Sequence, residues 1–312
     1  MSTLPVIAAV DGSDDSLRAL DWALDAARSR RAPLRVVHVR QYAAWAQPDV
    51  LSAGPPDANE DAVLEDVRTR LADVADRPVL EYLALEGATA AVLPELGAAA
   101  QLLVLGSRGR GGFASLLLGS NGMAAARDAE CPVIVVPRPG REVGTDVGTD
   151  VGTDVGTDVP AGPGPRVVVG LQADSPDENT LAFAFAEAAL RGARLHVVSA
   201  YQWPLQTWAM PGELAPVMVD QDAVEAETRT LAEGFLAPHR GHHPDVRVDL
   251  YVAPGDAAGH LVGASRDAEL VVVGRHRRRL LAPTRMMGSV TQAVLLHAAA
   301  PVAVVPPQPS HG

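Results

Sequence analysis

Three glycines and a serine are spaced so that they could bind an anion together. Gly106, Gly109 and Gly119 lie on both sides of a short loop, and Ser120 begins a helical pattern. Glycines let backbone N–H groups approach an anion that a Cβ would keep away. Helix N-termini add unpaired donors and the positive end of the helix dipole. The spacing therefore predicts a loop that binds phosphate.

An acidic turn elsewhere in the sequence could complete this site. Asp11 follows the first predicted strand, and Val39 ends the second. Ligands of open α/β sheets bind beyond the carboxyl ends of the strands, where neighbouring crossovers diverge. With the strand order 3-2-1-4-5, Asp11 and the glycine loop meet there. Asp11 could accept ribose hydroxyls, and Val39 could form a wall for a base. The alternatives are an acidic helix cap at Asp11 and an ordinary loop after Gly106.

Composition excludes several other kinds of site. All 26 basic residues are arginine, because the sequence contains no lysine, and this rules out a Walker A, Schiff-base or general-base lysine. The net charge of −12 argues against nucleic acid as the main partner. No apolar run approaches the ~20 residues that span a bilayer, and no signal-peptide pattern is present. We therefore expect a cytoplasmic protein that binds neither nucleic acid nor membrane.

Alternating apolar runs and helical stripes organise residues 1–138 as one domain. Strands are predicted at 4–10, 34–39, 79–85, 101–105 and 132–136. Helices are predicted at 57–75, 87–100 and 120–129, and a further helix is capped by the acidic turn at 11–16 and closed by Pro33. Strands that alternate with helices are typical of a doubly wound parallel α/β sheet with helices on both faces. Cys131, the single cysteine, precedes the last strand and is expected to be a buried thiol.

A low-complexity segment separates this domain from a second copy. Residues 143–159 repeat Val-Gly-Thr-Asp four times, so we expect a flexible linker at 139–164. The pattern then restarts over 165–308, where His196-Val197 echoes His38-Val39. Strands are predicted at 166–171, 195–199, 246–252, 270–274 and 301–305, and a helix at 221–237.

The loop spacing Gly106-x2-Gly109-x9-Gly119-Ser120 resembles the ATP-binding signature of the universal stress protein family. Val10-Asp11-Gly12-Ser13 and Cys131-Pro132-Val133 are similar to the family's first-strand and last-strand motifs. The resemblance covers both halves except the linker. It implies two Rossmann-like domains of the adenine nucleotide alpha hydrolase type. It also implies a non-catalytic sensor or regulator in stress response that binds ATP, with any Mg²⁺ held through the phosphates.

The same resemblance assigns the binding residues. Asp11 would meet the ribose or adenine, Val39 would lie beside the base, and the glycine loop would surround the phosphates. The full set is Ala9, Val10, Asp11, Val39, Gly106, Arg108, Gly109, Gly119, Ser120 and Asn121. Asn121-Gly122 departs from the family's usual Val-Ser or Val-Thr, and the lost hydroxyl predicts weaker phosphate binding. No catalytic or metal-binding residues are assigned, since the adjacent His242 and His243 are expected in a solvated turn.

The second half departs further from the family pattern. Gln172 aligns with Asp11, Arg277 takes the place of Gly109, and the loop is one residue longer. These changes predict a site that no longer binds ATP well. The arginines of this loop either bind an anion or pair with carboxylates such as Asp174.

The last strand of each half is an apolar edge that would aggregate if it stayed unpaired. We expect the two edges to pair, inside one chain or between chains, and further dimerisation is open. Two other functions remain as alternatives: a scaffold of the same fold that binds no nucleotide, and a slow ATPase.

Overall fold

The computed structural model describes residues 3–41, 61–109, 118–140, 164–201, 220–275 and 287–308. The chain divides into two compact units. The first comprises Met1–Thr145 and Val273–Gly312, and the second comprises Asp146–Val272. The C-terminal part of the second repeat therefore belongs to the first unit. The Val-Gly-Thr-Asp segment at 143–159, inside the predicted linker at 139–164, lies outside the described residues.

Ten strands and eight α-helices are found in the described residues. In chain order they are β1 (Val6–Ala9), α1 (Asp14–Arg30), β2 (Leu34–Arg40), α2 (Ala62–Ala72), β3 (Leu80–Glu86), α3 (Thr89–Glu95), β4 (Leu102–Gly106), α4 (Ser120–Asp128), β5 (Val133–Val136), β6 (Arg166–Gly170), α5 (Glu178–Arg191), β7 (Arg194–Tyr201), α6 (Gln221–His242), β8 (Val248–Pro254), α7 (Ala257–Ala264), β9 (Leu270–Gly274), α8 (Ser289–His297) and β10 (Val302–Val305).

Helix α1 illustrates how local sequence sets the elements. Ser13 caps its N-terminus by accepting a hydrogen bond from the Ser16 N–H, and Asp14 and Asp15 in the first turn complement the helix dipole. The helix ends where Arg31 adopts a left-handed conformation with φ of 51°. Leu20, Ala23 and other small or apolar residues of one face are buried.

The sheet of the first unit has the order β3-β2-β1-β4-β5-β10. Strands β1 to β5 are parallel, as their helical crossovers require. Strand β10 is antiparallel to β5, with Val302 opposite Val135 and Val304 opposite Val133. The two apolar strands that the sequence marks as edges thus pair with each other inside the first unit.

The sheet of the second unit has the order β8-β7-β6-β9, and all four strands are parallel. Its centre is almost entirely apolar: Val167, Val168, Leu195, Val197 and Val271 are fully buried. Continuous apolar strands are typical of parallel sheets covered on both faces. The predicted α/β fold class is confirmed.

Strand register corrects one predicted correspondence between the repeats. Leu34 pairs with Val6 in β1, and Leu195 pairs with Val167 in β6, so these leucines are equivalent. His196 therefore corresponds to Arg35, and Ser199 corresponds to His38. The predicted match between His196 and His38 is therefore wrong by three positions. The register of a strand is set by which alternate side chains are buried, and not by the similarity of residue types.

Several helix boundaries also differ from the predicted ones. Helix α6 extends to His242 and is capped by His243, so these histidines end a helix and do not form a turn. The imidazole rings of His239 and His243 stack on Phe185 with centroids 5.3 and 5.8 Å apart, which ties the end of α6 to α5. Helix α2 stops at Ala72, and α3 passes into a 3-10 turn over Leu96–Ala99.

No helix among the described residues is long and apolar enough to cross a bilayer. Cys131 is buried, as predicted, and burial raises the pKa of its thiol to about 12. A thiol with so high a pKa is almost wholly protonated near neutral pH and therefore a poor nucleophile.

Candidate functional site

Asp11 lies directly beyond β1 and is held in place by the turn that follows. Its Oδ1 accepts hydrogen bonds from the Ser13 backbone N–H at 3.0 Å and from the Ser13 hydroxyl at 2.6 Å. Gly12 makes the turn possible, with φ of +77°. Ser13, not Asp11, is the N-cap of α1. The alternative of Asp11 as a helix cap is therefore wrong.

Gly109 brings the loop after β4 against this carboxylate. A Cβ placed on Gly109 would lie 2.5 Å from Asp11 Oδ2, which is closer than a real contact allows. Gly109 itself is exposed, so the contact is at the surface of the crevice. The structure thus brings together the two sequence features expected to meet at the ends of the first and fourth strands.

Gly106 is needed for a different reason. A Cβ there would lie 2.6 Å from the backbone carbonyl carbon and oxygen of Asp15, in the first turn of α1. Backbone cannot move aside as a side-chain tip can. Gly106 is therefore required by the packing of α1 on β4, whether or not a ligand binds. Of the two glycines, Gly109 is the stronger indication of a ligand site.

Helix α4 begins with backbone donors that no side chain caps. Gly119 is the N-cap, and in the described part of the chain no side chain accepts from the first turn, which also lacks an acidic residue. By contrast, Ser13 caps α1 and Asp61 caps α2 with their side chains. Ser120 is exposed at the first helical position and Asn121 is half-buried. An uncapped N-terminus of this kind suits an oxyanion.

Gly122 and its counterpart in the second repeat show what the family's hydroxyl does in this chain. Thr291 occupies the equivalent place in α8, and its Oγ1 donates to the Gly274 carbonyl at 2.8 Å. A Cβ on Gly122 would lie 3.0 Å from Leu118 Cδ1 and 3.2 Å from Leu105 Cδ1. In the second repeat this hydroxyl ties a helix to a strand.

The apolar residues predicted beside a base lie on the two neighbouring strands. Ala9 ends β1 opposite Val37, and the Val10 N–H donates to the Val37 carbonyl at 2.8 Å. Val10 and Val39 are both buried, at 4% and 9% exposure. Arg108 is half-buried between Ser107 and Gly109.

A buried ionic cluster behind the loop was missed from the sequence. Asp15 is 1% exposed and accepts from Ser107 Oγ at 3.1 Å and from Arg138 Nε at 2.8 Å, and it also pairs with Arg18. Burial by itself raises the pKa of Asp15, but Arg138, Arg18 and Ser107 outweigh it and hold the pKa below its ordinary value. The carboxyl is therefore ionised.

A second buried carboxylate, Asp61, anchors the start of α2. It accepts from the Val63 and Leu64 N–H groups, each at 3.1 Å, and its Oδ2 lies 2.8 Å from His38 Nδ1. Burial raises the pKa of Asp61, and the hydrogen bonds from His38 and Leu64 lower it by more. Because Asp61 caps a helix and holds a strand residue at once, this cluster positions structure and does not present a reactive group.

Both clusters join residues far apart in the sequence. Asp15 lies in the turn predicted to cap a helix, whereas Asp61, which caps α2, falls inside the helix predicted at 57–75. No local pattern links Asp15 to Ser107 or Arg138.

Among the described residues, the second repeat keeps an uncapped helix start, with Gly288 as the N-cap of α8, but has no acidic residue in the place of Asp11. Gln172 and Asp174 are exposed. Arg275 Nη1 donates to the carbonyls of Arg127 at 2.7 Å and Ala129 at 2.8 Å, at the C-terminal end of α4. This arginine therefore caps a helix. Arg277 and the other arginines of the loop lie outside the described residues.

A groove in the first unit lies away from the predicted nucleotide site. Arg68, Arg77, Val79 and Tyr82 line a shallow groove of about 530 Å³ beside the start of β3, away from the strand ends where Asp11 lies. Within the ranges that the structure describes, no three His, Cys, Asp or Glu side chains are grouped so that they could hold a metal ion.

Comparison with known proteins identifies the family. A model described as "Universal stress protein family" matches residues 4–137 and 165–306. Universal stress protein Rv2005c of Mycobacterium tuberculosis is 33% identical over 306 residues, covering 96% of each chain. A universal stress protein of Mycolicibacterium smegmatis is 28% identical and covers 97% of each chain. The crystal structure of a universal stress protein from Archaeoglobus fulgidus shares the fold, with a TM-score of 0.65 at 17% identity, covering 97% of this chain and 98% of that one. The chain belongs to the universal stress protein family and carries two of its repeats in tandem.

Proposed function

We propose that the first repeat binds ATP and that the protein acts as a non-catalytic sensor or regulator in stress response. The observation that carries the proposal is the contact between Gly109 and Asp11, where a Cβ would lie 2.5 Å from the carboxylate. A side chain at this position would have to displace the Asp11 carboxylate, so glycine lets the loop after β4 lie close to the end of β1. The family's spacing places this glycine between Gly106 and the uncapped start of α4.

The proposed residues divide by their place in the crevice. Val10 and Val39 form the apolar side, where an adenine ring would lose contact with water. Asp11, whose orientation Ser13 fixes, is suited to accept hydroxyl groups of the ribose. Gly109 lies across from Asp11, where the triphosphate would leave the ribose.

The phosphate end relies on backbone donors and arginine, because the chain has no lysine. The proposed ligands are Gly106, Arg108, Gly109, Gly119, Ser120 and Asn121. When bound, Mg²⁺ would neutralise phosphate charge and would be held through the phosphates. Ser120 and Asn121 provide N–H groups at a helix start with no acidic residue in its first turn.

We further propose that the second repeat binds no ATP and serves assembly. Gln172 stands in place of Asp11, and Arg275 contacts the end of α4 in the first unit. Strand β10 of this repeat also pairs with β5. Each chain would then bind about one ATP, not two.

Calorimetric titration of the full chain with ATP tests this proposal. We expect saturable binding with a stoichiometry near one, and loss of binding in Asp11→Ala. A stoichiometry near two would contradict the division of roles between the repeats. Complete absence of binding would favour the scaffold alternative. Steady ATP turnover above background that Asp11→Ala abolishes would favour the slow ATPase.

A further inference from the structure

Ser107 is the residue through which the loop after β4 is fastened to the rest of the first unit. It is 3% exposed. Its N–H donates to the Val136 carbonyl at 3.0 Å, and its carbonyl accepts from the Gly119 N–H at 2.8 Å. Its hydroxyl donates to Asp15 Oδ2 at 3.1 Å. Ser107 therefore links β5, the start of α4 and the first turn of α1.

The Asp15 carboxylate holds the side chain of Ser107 in place. Its Oδ1 receives Arg138 Nε at 2.8 Å and an Arg18 guanidinium, while Oδ2 receives Ser107. A buried carboxylate is costly unless its oxygens are paired, and here both are. A neutral amide of the same shape offers one acceptor oxygen. With that oxygen facing the arginines, its NH2 group would face Ser107, so the hydrogen bond to Ser107 would reverse direction and the negative charge would be lost.

The backbone of α1 reinforces the same contact. Gly106 lies so close to Asp15 that a Cβ would be 2.6 Å from the Asp15 carbonyl. The first turn of α1 thus rests on the residue where the loop begins, and the Asp15 side chain reaches the next one. This arrangement fixes where Gly109 and Gly119 lie relative to Asp11.

We propose that Asp15, acting through Ser107, is a positioning residue for the phosphate end of the nucleotide site. Asp15 contacts no phosphate in this proposal. It holds Ser107 so that the Ser107 carbonyl places Gly119, and hence the N–H groups of α4, toward the crevice. The inference rests on the proposed ATP binding. It assigns the pair no part in holding the base or ribose.

The two parts of the nucleotide give a test that separates positioning from general loosening. The full chain and its Asp15→Asn and Ser107→Ala variants are titrated with ATP and with adenosine, which lacks phosphates. We expect ATP affinity to fall at least about tenfold, as for loss of one hydrogen bond to a charged group, with adenosine affinity changed less than about twofold. Asp21→Asn is the matched control, because Asp21 is on the same helix, about half-exposed and paired with the exposed Arg70.

Each possible result of these titrations either supports or overturns the role of Asp15 and Ser107. Unchanged ATP affinity in a folded Ser107→Ala variant overturns it, as does an equal loss for ATP and adenosine. If Asp15→Asn does not fold, Ser107→Ala alone gives the answer, since it removes one hydroxyl. A wild-type chain that binds neither ligand overturns the proposed function and this inference together. Wild-type binding with unaffected variants overturns this inference alone.

Discussion

The loops after β4 and β9 have the same backbone anchor and different side-chain partners. The Ser107 N–H donates to the Val136 carbonyl at 3.0 Å, and the N–H of its counterpart Arg275 donates to the Val305 carbonyl at 2.8 Å. The Ser107 hydroxyl then turns toward Asp15, whereas the Arg275 guanidinium reaches the carbonyls at the end of α4. The same backbone hydrogen bond therefore begins each loop. The side chain at this position decides which part of the protein it contacts.

If the first repeat binds ATP as proposed, this difference shows how a ligand site and a structural role could be divided between two copies of one fold. The short side chain of Ser107 contacts Asp15, a residue of its own repeat. An arginine extends to helix carbonyls that carry the negative end of a dipole. The change needs no alteration of the strand before it, since β4 and β9 both end in glycine.

The largest expected effect comes from removing the close approach of the first loop. Gly109→Val should lower ATP affinity by roughly a hundredfold or more, equal to about 2.7 kcal/mol, because its Cβ displaces the Asp11 carboxylate from Ser13. Calorimetric titration measures the loss. Gly234→Val is the control, since a Cβ there meets nothing within 4 Å. Unchanged affinity in Gly109→Val would refute the site.

Arg275→Gln should separate the role of the second loop from nucleotide binding. Two hydrogen bonds to the carbonyls ending α4 are lost, so the free energy of unfolding should fall by about 2 kcal/mol. Urea unfolding gives this value, and ATP stoichiometry should not change. Arg229→Gln, which breaks an exposed pair within α6, should change stability by under about 0.5 kcal/mol. A change in ATP stoichiometry would show that Arg275 belongs to a binding site.

The second strands of the two repeats, β2 and β7, differ in their response to acid. His196 takes the place of Arg35, and burial, with the charge of Arg166 and Arg194 against that of Asp249, lowers its pKa to about 4. The unfolded chain binds this proton near pH 6.5. Stability due to neutral His196 is therefore complete above pH 6.5 and lost as the pH falls toward 4, by about 1.4 kcal/mol for each pH unit.

Unfolding free energies at pH 7 and pH 5 test this slope. His196→Leu should remove it, and the difference between variant and wild type isolates His196 from other groups. Asp15 and Asp61 have pKa values below the ordinary 3.8, so they stay ionised in this window. Equal slopes in wild type and variant would show that His196 titrates normally.

The smallest expected effect concerns the helix starts. Thr291→Val removes the hydrogen bond to the Gly274 carbonyl and should cost about 1 kcal/mol of unfolding free energy. ATP affinity should stay the same, because the counterpart in the first repeat is already glycine. Weaker ATP binding in this variant would place the hydroxyl near a ligand.

The sequence predicted features that repeat along the chain and missed those that join distant residues. Alternating apolar runs located the strands within about two residues, and glycine spacing located the loop. Asp15 and Arg138 are far apart in the chain, and nothing local marks them as partners. The length of α6 depended on stacking of His239 and His243 against Phe185, a contact between helices. The crowding that a Cβ on Gly122 would meet at Leu118 and Leu105 is likewise a contact that the local sequence does not reveal.

The pairing of β10 with β5 has a consequence for biosynthesis. On the ribosome, Val133–Val136 emerges long before Val302–Val305, because the whole second repeat is translated between them. Until then β5 is an open apolar edge, which invites pairing with a neighbouring nascent chain. The unit that carries the proposed ATP site is thus completed only after the second repeat has been translated. Damage to β10 would then expose an edge in a domain that had been made first.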